Sequence, residues 1–220
     1  MVNRKKEVPP QAAEETKEIP LSKRPFTSLT PSSDGHWLKL EISNLQIEAE
    51  TLDYELLYTL PDGRTQGVPG TIKLTAEKKI ERDLLLGSES SGKFRYDEGV
   101  KEGSLTLRFR DSGGKLIAKF ATNFSLLTKT DTLAATDAEF KYILPKTSKE
   151  FFVVMQTFGL PNDTEFEVKN GPYGIFTSSK AAFPGTVEMG GGEIYFRDRS
   201  NWKKLVDYKS SDIGIFVGVT

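Results

Sequence analysis

The sequence predicts an all-β protein built from two antiparallel β-sandwich modules in tandem. Short runs of alternating apolar and polar residues recur along the chain. Gly, Asp, Ser or Pro interrupts these runs roughly every eight to twelve residues, which is typical of stacked antiparallel sheets. No amphipathic helix of several turns is apparent beyond the first 24 residues. The 220 residues suffice for two modules of about 100 residues each.

Residues 1–24 are predicted to form a disordered tail. They contain Pro9, Pro10 and Pro20 among lysines and glutamates, with almost no large apolar side chain. A segment of that composition buries too little surface to fold by itself. It could serve as a tether that holds a folded body away from a membrane or wall. A flexible chain of that length spans roughly 25–30 Å.

The first module is expected over residues 25–127. Leu38, Leu40 and Ile42 alternate with polar neighbours and predict a half-buried strand. Pro61–Gly63 predicts a tight turn, because Pro presets φ and Gly accepts a positive φ. Asp111–Gly114 predicts a hairpin that returns the chain into a further strand. The other expected inward positions are Leu52, Tyr54, Leu56, Tyr58, Ile72, Leu74, Ile80, Leu84, Leu86, Leu105, Leu107, Phe109, Leu116, Ala118, Phe120 and Phe124.

Residues 128–137 are rich in Thr, Asp and Ala and are predicted to be a polar linker with room for one helical turn. The second module is expected over residues 138–220. A hairpin is expected over Glu193–Asp207, around Asp198–Asn201. The candidate strands of this module are Phe140–Ile143, Phe151–Phe158, Thr164–Lys169, Tyr173–Thr177, Thr186–Met189, Glu193–Arg197, Trp202–Asp207 and Ile213–Val219.

The composition excludes several functional classes. With 30 basic and 31 acidic residues the formal net charge is −1, so no nucleic acid is an expected partner. The chain has no cysteine, which excludes disulfides, zinc–thiolate sites and iron–sulfur clusters. The single histidine, His36, rules out most histidine-based triads and any metal site with several imidazoles. We therefore expect no metal and no cofactor.

The acidic residues form no recognisable catalytic pair. A glycosidase needs two carboxyl groups that face one cleft, one of them with a raised pKa. The densest candidates are Asp97 with Glu98, and Glu48 with Glu50 and Asp53. They lie at expected turn edges, where solvated acidic side chains are common. The sequence therefore predicts no catalytic residue and favours a protein that is not an enzyme.

Aromatic side chains are the more informative candidates for binding. Their flat rings can stack on a sugar or a peptide, although a sandwich also needs aromatic residues in its core. Trp37 lies on the strand face opposite Leu38, Leu40 and Ile42, which favours exposure. The predicted ligand-binding residues are Trp37, Tyr173, Tyr195 and Trp202.

Several segments carry a resemblance to a known architecture. Trp37–Ile42, Tyr54–Tyr58, Tyr96–Val100 and Ser104–Phe109 make the first module similar to immunoglobulin-like or fibronectin type III-like sandwiches of bacterial surface and secreted proteins. The second module is similar in pattern through two further segments, Gly171–Phe176 and Trp202–Leu205. The resemblance implies an architecture and a surface context, and it implies no activity.

The amino terminus bears on where the protein is expected to work. Arg4, Lys5 and Lys6 are followed by Glu7 and two prolines, so an apolar signal segment is absent there. We expect that an export signal preceded Met1 and was removed, and that the protein is extracellular or at the cell surface. A cytoplasmic location is the alternative. Contact with a membrane is expected only through a removed anchor.

The function favoured by the sequence is that of a non-enzymatic bacterial cell-surface or secreted protein. Its tandem sandwich modules would bind a protein or a glycan, or serve a structural role. Two alternatives stay open. One is a pair of carbohydrate-binding modules that uses the aromatic residues, and the other is a carboxylate-dependent hydrolase on a β scaffold.

Overall fold

The computed structural model describes residues 18–75, 78–161, 164–190, 192–197 and 201–219. Apart from a 3₁₀ turn over Leu21–Lys23, every regular element in these ranges is a β-strand. No helix in the same ranges is long and apolar enough to cross a membrane. The predicted all-β fold class is therefore confirmed.

Eighteen strands are found in the described residues. In chain order they are β1 (Phe26–Pro31), β2 (Trp37–Ser43), β3 (Thr51–Thr59), β4 (Thr65–Lys73), β5 (Lys79–Leu85), β6 (Gly87–Ser90), β7 (Lys93–Tyr96), β8 (Glu102–Arg110), β9 (Leu116–Leu127), β10 (Thr130–Ala134), β11 (Phe140–Ser148), β12 (Phe152–Gln156), β13 (Asn170–Phe176), β14 (Gly185–Met189), β15 (Glu193–Arg197), β16 (Trp202–Lys204), β17 (Lys209–Ser210) and β18 (Ile215–Val219).

These strands form four antiparallel sheets. The largest has nine strands in the order β16-β15-β18-β13-β12-β9-β8-β3-β4. A three-stranded sheet, β1-β2-β5, and a four-stranded sheet, β10-β11-β14-β17, accompany it. Strands β6 and β7 form a separate two-stranded hairpin.

Strand β12 belongs to two hydrophobic cores at once. Val153 and Met155 lie in the first core, which also contains residues of the three-stranded sheet and of β3, β8 and β9. Phe152 and Val154 lie in the second core, with residues of the four-stranded sheet and of β13, β15 and β18. Since successive side chains of a strand point to opposite faces, the two cores lie on opposite faces of the nine-stranded sheet.

Backbone pairing joins the two predicted modules. Strand β9 pairs with β12, so that Leu127 lies opposite Phe152 and Phe124 lies opposite Met155. The segment 128–137, predicted to be a linker, contains β10, which pairs with β11. Leu133 of β10 is fully buried. A strand at the edge of a sheet tolerates polar residues, and β10 is such an edge strand, which explains its linker-like composition.

The predicted tail, residues 1–24, falls partly outside the described residues, which begin at residue 18. Ile19 packs against the first core. The Arg24 side chain donates a hydrogen bond from Nε to the carbonyl oxygen of Ile19 at 2.6 Å. The last part of the predicted tail is therefore attached to the folded body.

One predicted strand is wrong and two predicted turns are confirmed. Residues 164–169 form no strand, and within them Phe166 packs its ring against Tyr195 instead. Gly63 and Gly114 adopt φ angles of 84° and 80° in the turns after β3 and β8, as their turn sequences predict. Strand β15 pairs with β16 as expected, although residues 198–200 of that hairpin lie outside the described ranges.

A charged network covers the outer face of the three-stranded sheet. The Glu81 carboxylate lies 2.7 Å from Nζ of Lys39 and 2.7 Å from Nζ of Lys79. Lys79 also contacts Glu41 at 2.8 Å. Hydrogen bonds from Lys39 and then Lys79 lower the pKa of Glu81 to about 2.

We predict that Glu81 titrates near pH 2 in the folded protein, well below its ordinary value of 4.5. Because the folded-state pKa is depressed, the network contributes stability that is complete above pH 4.5 and is lost as the pH falls towards 2. NMR titration of the side-chain carboxyl carbon measures this directly. Lys39→Gln should raise the titration midpoint of Glu81. A midpoint at the ordinary value in the unsubstituted protein would contradict the network.

Candidate functional site

The hairpin β6–β7 is separate from the other three sheets, because its strands pair with no other strand in the described residues. Ser91 and Gly92 at its tip have φ angles of 52° and 74°, as a two-residue hairpin turn requires. Gly87 at its base has φ of 152°, and a Cβ added there would lie 2.2 Å from the carbonyl oxygen of Arg95. The hairpin therefore depends on glycine at this close approach.

Four aromatic rings meet where this hairpin lies against the three-stranded sheet. We call His36, Trp37, Phe94 and Tyr96 the aromatic row. The His36 and Tyr96 rings are stacked at 4.2 Å and 5° between planes. Trp37 contacts Phe94 edge-on at 5.5 Å, and the Phe94 and Tyr96 rings lie 6.3 Å apart at 10°. Phe94 and Tyr96 are 47% and 38% exposed, so the row reaches the surface.

A partly buried hydrogen bond attaches the hairpin to the nine-stranded sheet. The Tyr58 hydroxyl donates to Oδ2 of Asp97 at 2.8 Å, one residue beyond Tyr96. The Asp97 backbone N–H also donates to the carbonyl oxygen of Leu86 at 2.9 Å. Burial and the Asp97 carboxylate raise the pKa of Tyr58, so its hydroxyl keeps its proton and remains a donor.

Carboxylates border the aromatic row. His36 Nδ1 lies 3.3 Å from Oδ2 of Asp34, and its Nε2 lies 3.2 Å from Oε1 of Glu98. Hydrogen bonds from the Ser32 hydroxyl and the His36 backbone N–H lower the pKa of Asp34, which favours its charged form. Glu89 of β6 lies directly opposite Phe94 of β7. Asp34, Glu98 and Glu89 therefore border the row.

The two faces of the hairpin differ in charge. Side chains alternate between faces along a strand, so Lys93 and Arg95 lie on the face opposite Phe94 and Tyr96. Their cross-strand neighbours are serines of β6, whereas the neighbour of Phe94 is Glu89. The hairpin therefore presents an aromatic, acidic face and a basic face.

Of the four predicted ligand-binding residues, only Trp37 lies in this row. Tyr195 and Trp202 are on the paired strands β15 and β16. Both contact Phe166, whose ring centre lies 4.4 Å from that of Tyr195 and 5.6 Å from that of Trp202. The loop before β13 thus covers part of this second aromatic surface.

Tyr173 occupies the second core. It is 1% exposed and its ring stacks on Phe140 at 4.9 Å. Its hydroxyl donates to Oδ2 of Asp137 at 2.9 Å and accepts a hydrogen bond from Nε2 of Gln156 at 3.1 Å. Through these contacts Tyr173 is a packing residue that connects the four-stranded sheet to the nine-stranded sheet.

The predicted ligand-binding residues do not include Phe94 or Tyr96. Both lie in a short run in which aromatic and basic residues alternate after Ser91-Gly92. A Ser-Gly pair between alternating runs is a turn signal, and it could have located the hairpin. Their exposure could not be read from the sequence, because alternation alone does not show whether the aromatic face is covered.

The candidate acidic residues are mostly occupied by hydrogen bonds or ion pairs. Asp97 accepts from Tyr58, Asp53 pairs with Arg110 at 2.8 Å, and Glu50 lies 3.4 Å from Lys73. No group of three or more His, Asp or Glu side chains in the described ranges could hold a metal ion.

Comparisons with known proteins find no relative, since no family model, curated protein or solved structure matches this chain. The function must therefore be inferred from the surface itself.

We predict that Tyr58→Phe destabilises the protein and loosens the hairpin. The substitution leaves Oδ2 of the half-buried Asp97 without its donor, and losing a hydrogen bond to a charged group costs about 1–3 kcal/mol. Urea unfolding measures this loss, and amide exchange of residues 87–96 should become faster. Tyr54→Phe on the same strand is the matched control, because the Tyr54 hydroxyl has no hydrogen-bond partner in the described part of the chain. Equal effects of the two substitutions would contradict the assignment.

Proposed function

We propose that this protein is a non-enzymatic binding protein and that the aromatic row is the surface on which its partner docks. The observation that carries the proposal is the exposure of two neighbouring aromatic side chains, Phe94 and Tyr96, at 47% and 38%. Aromatic residues are enriched at interfaces because they supply a large contact area with little loss of side-chain entropy. The rings of His36 and Trp37 hold them in place from the sheet side.

We further propose a bacterial cell surface or the extracellular space as its setting. The support comes from the sequence, namely the tail-like composition of residues 1–24 and the resemblance to immunoglobulin-like and fibronectin type III-like modules. In that setting the first residues would act as a tether. A cytoplasmic binding protein is the alternative, and the row would serve it equally well.

The division into two sandwich modules is part of the same proposal. Its support is that each half of the chain supplies its own covering sheet and most of its own core. The pairing of β9 with β12 adds a constraint, because the two sandwiches must share one sheet. A shared sheet would fix the orientation of the loops and hairpins of one half relative to those of the other.

A carbohydrate ligand is the second candidate. Phe94 and Tyr96 lie on alternate positions of one strand with their rings only 10° from parallel. The exposed part of such rings can pack against a sugar. A carboxylate-dependent hydrolase has less support, because Asp97 and Asp53 are engaged by Tyr58 and Arg110 and Glu98 lies on the open surface at 82% side-chain exposure.

Binding of the full chain to glycan and peptide arrays tests the proposal. We expect that the double variant Phe94→Ala, Tyr96→Ala weakens the binding of any ligand found by about tenfold or more, as for central aromatic residues of an interface. Tyr208→Ala is the matched control, because Tyr208 is 52% exposed but lies in the turn between β16 and β17. If binding survives the double substitution, the docking surface lies elsewhere. The same conclusion follows if Tyr208→Ala weakens binding as much as the double variant does.

A further inference from the structure

We infer that the aromatic row recognises a positively charged group, specifically a lysine or arginine side chain on a basic segment of a partner protein. This inference rests on the proposed function, because it names the partner class for the same surface. It follows from three observations, which are the exposed rings, the carboxylates at their border and the separation of basic residues onto the other face of the hairpin.

The rings supply the first part of a cation site. A guanidinium or ammonium group within about 6 Å of a ring centre is attracted by the negative face of the ring. Phe94 and Tyr96 are both exposed, and their near-parallel rings have centres 6.3 Å apart on β7. An extended cationic side chain, whose methylene stem is itself apolar, can therefore contact both rings at once.

Two carboxylates at the border remain available to an incoming cation. Glu89 lies opposite Phe94 and takes part in no ion pair with a described residue. Glu98 contacts His36 through Oε1, while its Oε2 accepts no hydrogen bond from the described part of the chain. By contrast, the acidic groups on the sheet faces, such as Asp53 and Glu81, are paired with Arg110, Lys39 or Lys79.

The placement of the basic residues favours the same partner. Lys93 and Arg95 lie on the opposite face of the hairpin, so they do not neutralise Glu89 or Glu98 from the aromatic side. The chain as a whole carries a formal net charge of only −1. The carboxylates at the border of the row are therefore not part of a strongly acidic chain. A neutral sugar would gain from the rings but would leave these carboxylates without a partner.

Titration of the full chain with a hexa-arginine peptide, monitored by NMR through the amide signals of residues 87–96, tests this inference. We expect saturable binding that weakens as the salt concentration rises, because exposed charges are screened. Phe94→Ala should weaken it by about 3- to 30-fold, the range of a cation–π contact. Glu89→Gln should also weaken it, while Arg95→Gln, on the other face, should leave it unchanged or strengthen it.

The controls separate this inference from the proposed function. A hexaglutamate peptide should not shift the row signals, and cellohexaose provides the neutral probe. Shifts at the row with cellohexaose but not with hexa-arginine would overturn the cationic partner and leave the aromatic row as a binding surface. If Phe94→Ala and Glu89→Gln leave hexa-arginine binding unchanged, the binding is general charge attraction and the cationic partner is overturned. The absence of any shift with hexa-arginine would also overturn the cationic partner. Circular dichroism of each variant confirms that it is folded.

Discussion

The structure depends on the pairing of β9 with β12. This ladder places the end of the first half of the chain beside the start of the second half, with Leu126 opposite Val153 and Ser125 opposite Val154. Through it β12 contributes to a core on each face. A strand that is apolar on both sides loses its burial if either covering sheet separates. The two halves are therefore coupled through packing as well as through the chain.

The same arrangement explains how a small hairpin can be held as a rigid site. Strand β3 lies within the nine-stranded sheet, and its Tyr58 reaches Asp97 next to the hairpin. Strand β2 lies in the covering sheet, and its first residue Trp37 and the preceding His36 contact Phe94 and Tyr96. Two different layers thus fix the aromatic row, and rigid layers position loop side chains at a low entropic cost.

Much of the strand content could be predicted, because period-two alternation depends only on local sequence. It located β2 through Leu38, Leu40 and Ile42. The sharing of one sheet could not be predicted from alternation, since a pattern shows which side chains face a core but not which strand pairs with which. The run Phe152–Met155, apolar at every position, was the available signal that this strand is covered on both faces. The polar composition of residues 128–137 predicts a linker, although they contain β10, because an edge strand needs few apolar residues.

Candidate site residues were harder to predict than strands. The position of Trp37 in β2 predicts an outward-facing side chain. In the structure this side chain is half-buried against Phe94. Tyr173 looked equally suitable, yet its ring stacks on Phe140 within the second core. The difference arises from layers contributed by residues far away in the chain, and local sequence does not encode them.

Differential scanning calorimetry of the full chain tests the shared strand most directly. We expect one transition whose calorimetric and van't Hoff enthalpies agree. Val153→Ala and Val154→Ala should each lower the midpoint of that same transition. Two separable transitions, with Val153→Ala affecting one and Val154→Ala the other, would show that the halves unfold independently and would contradict it.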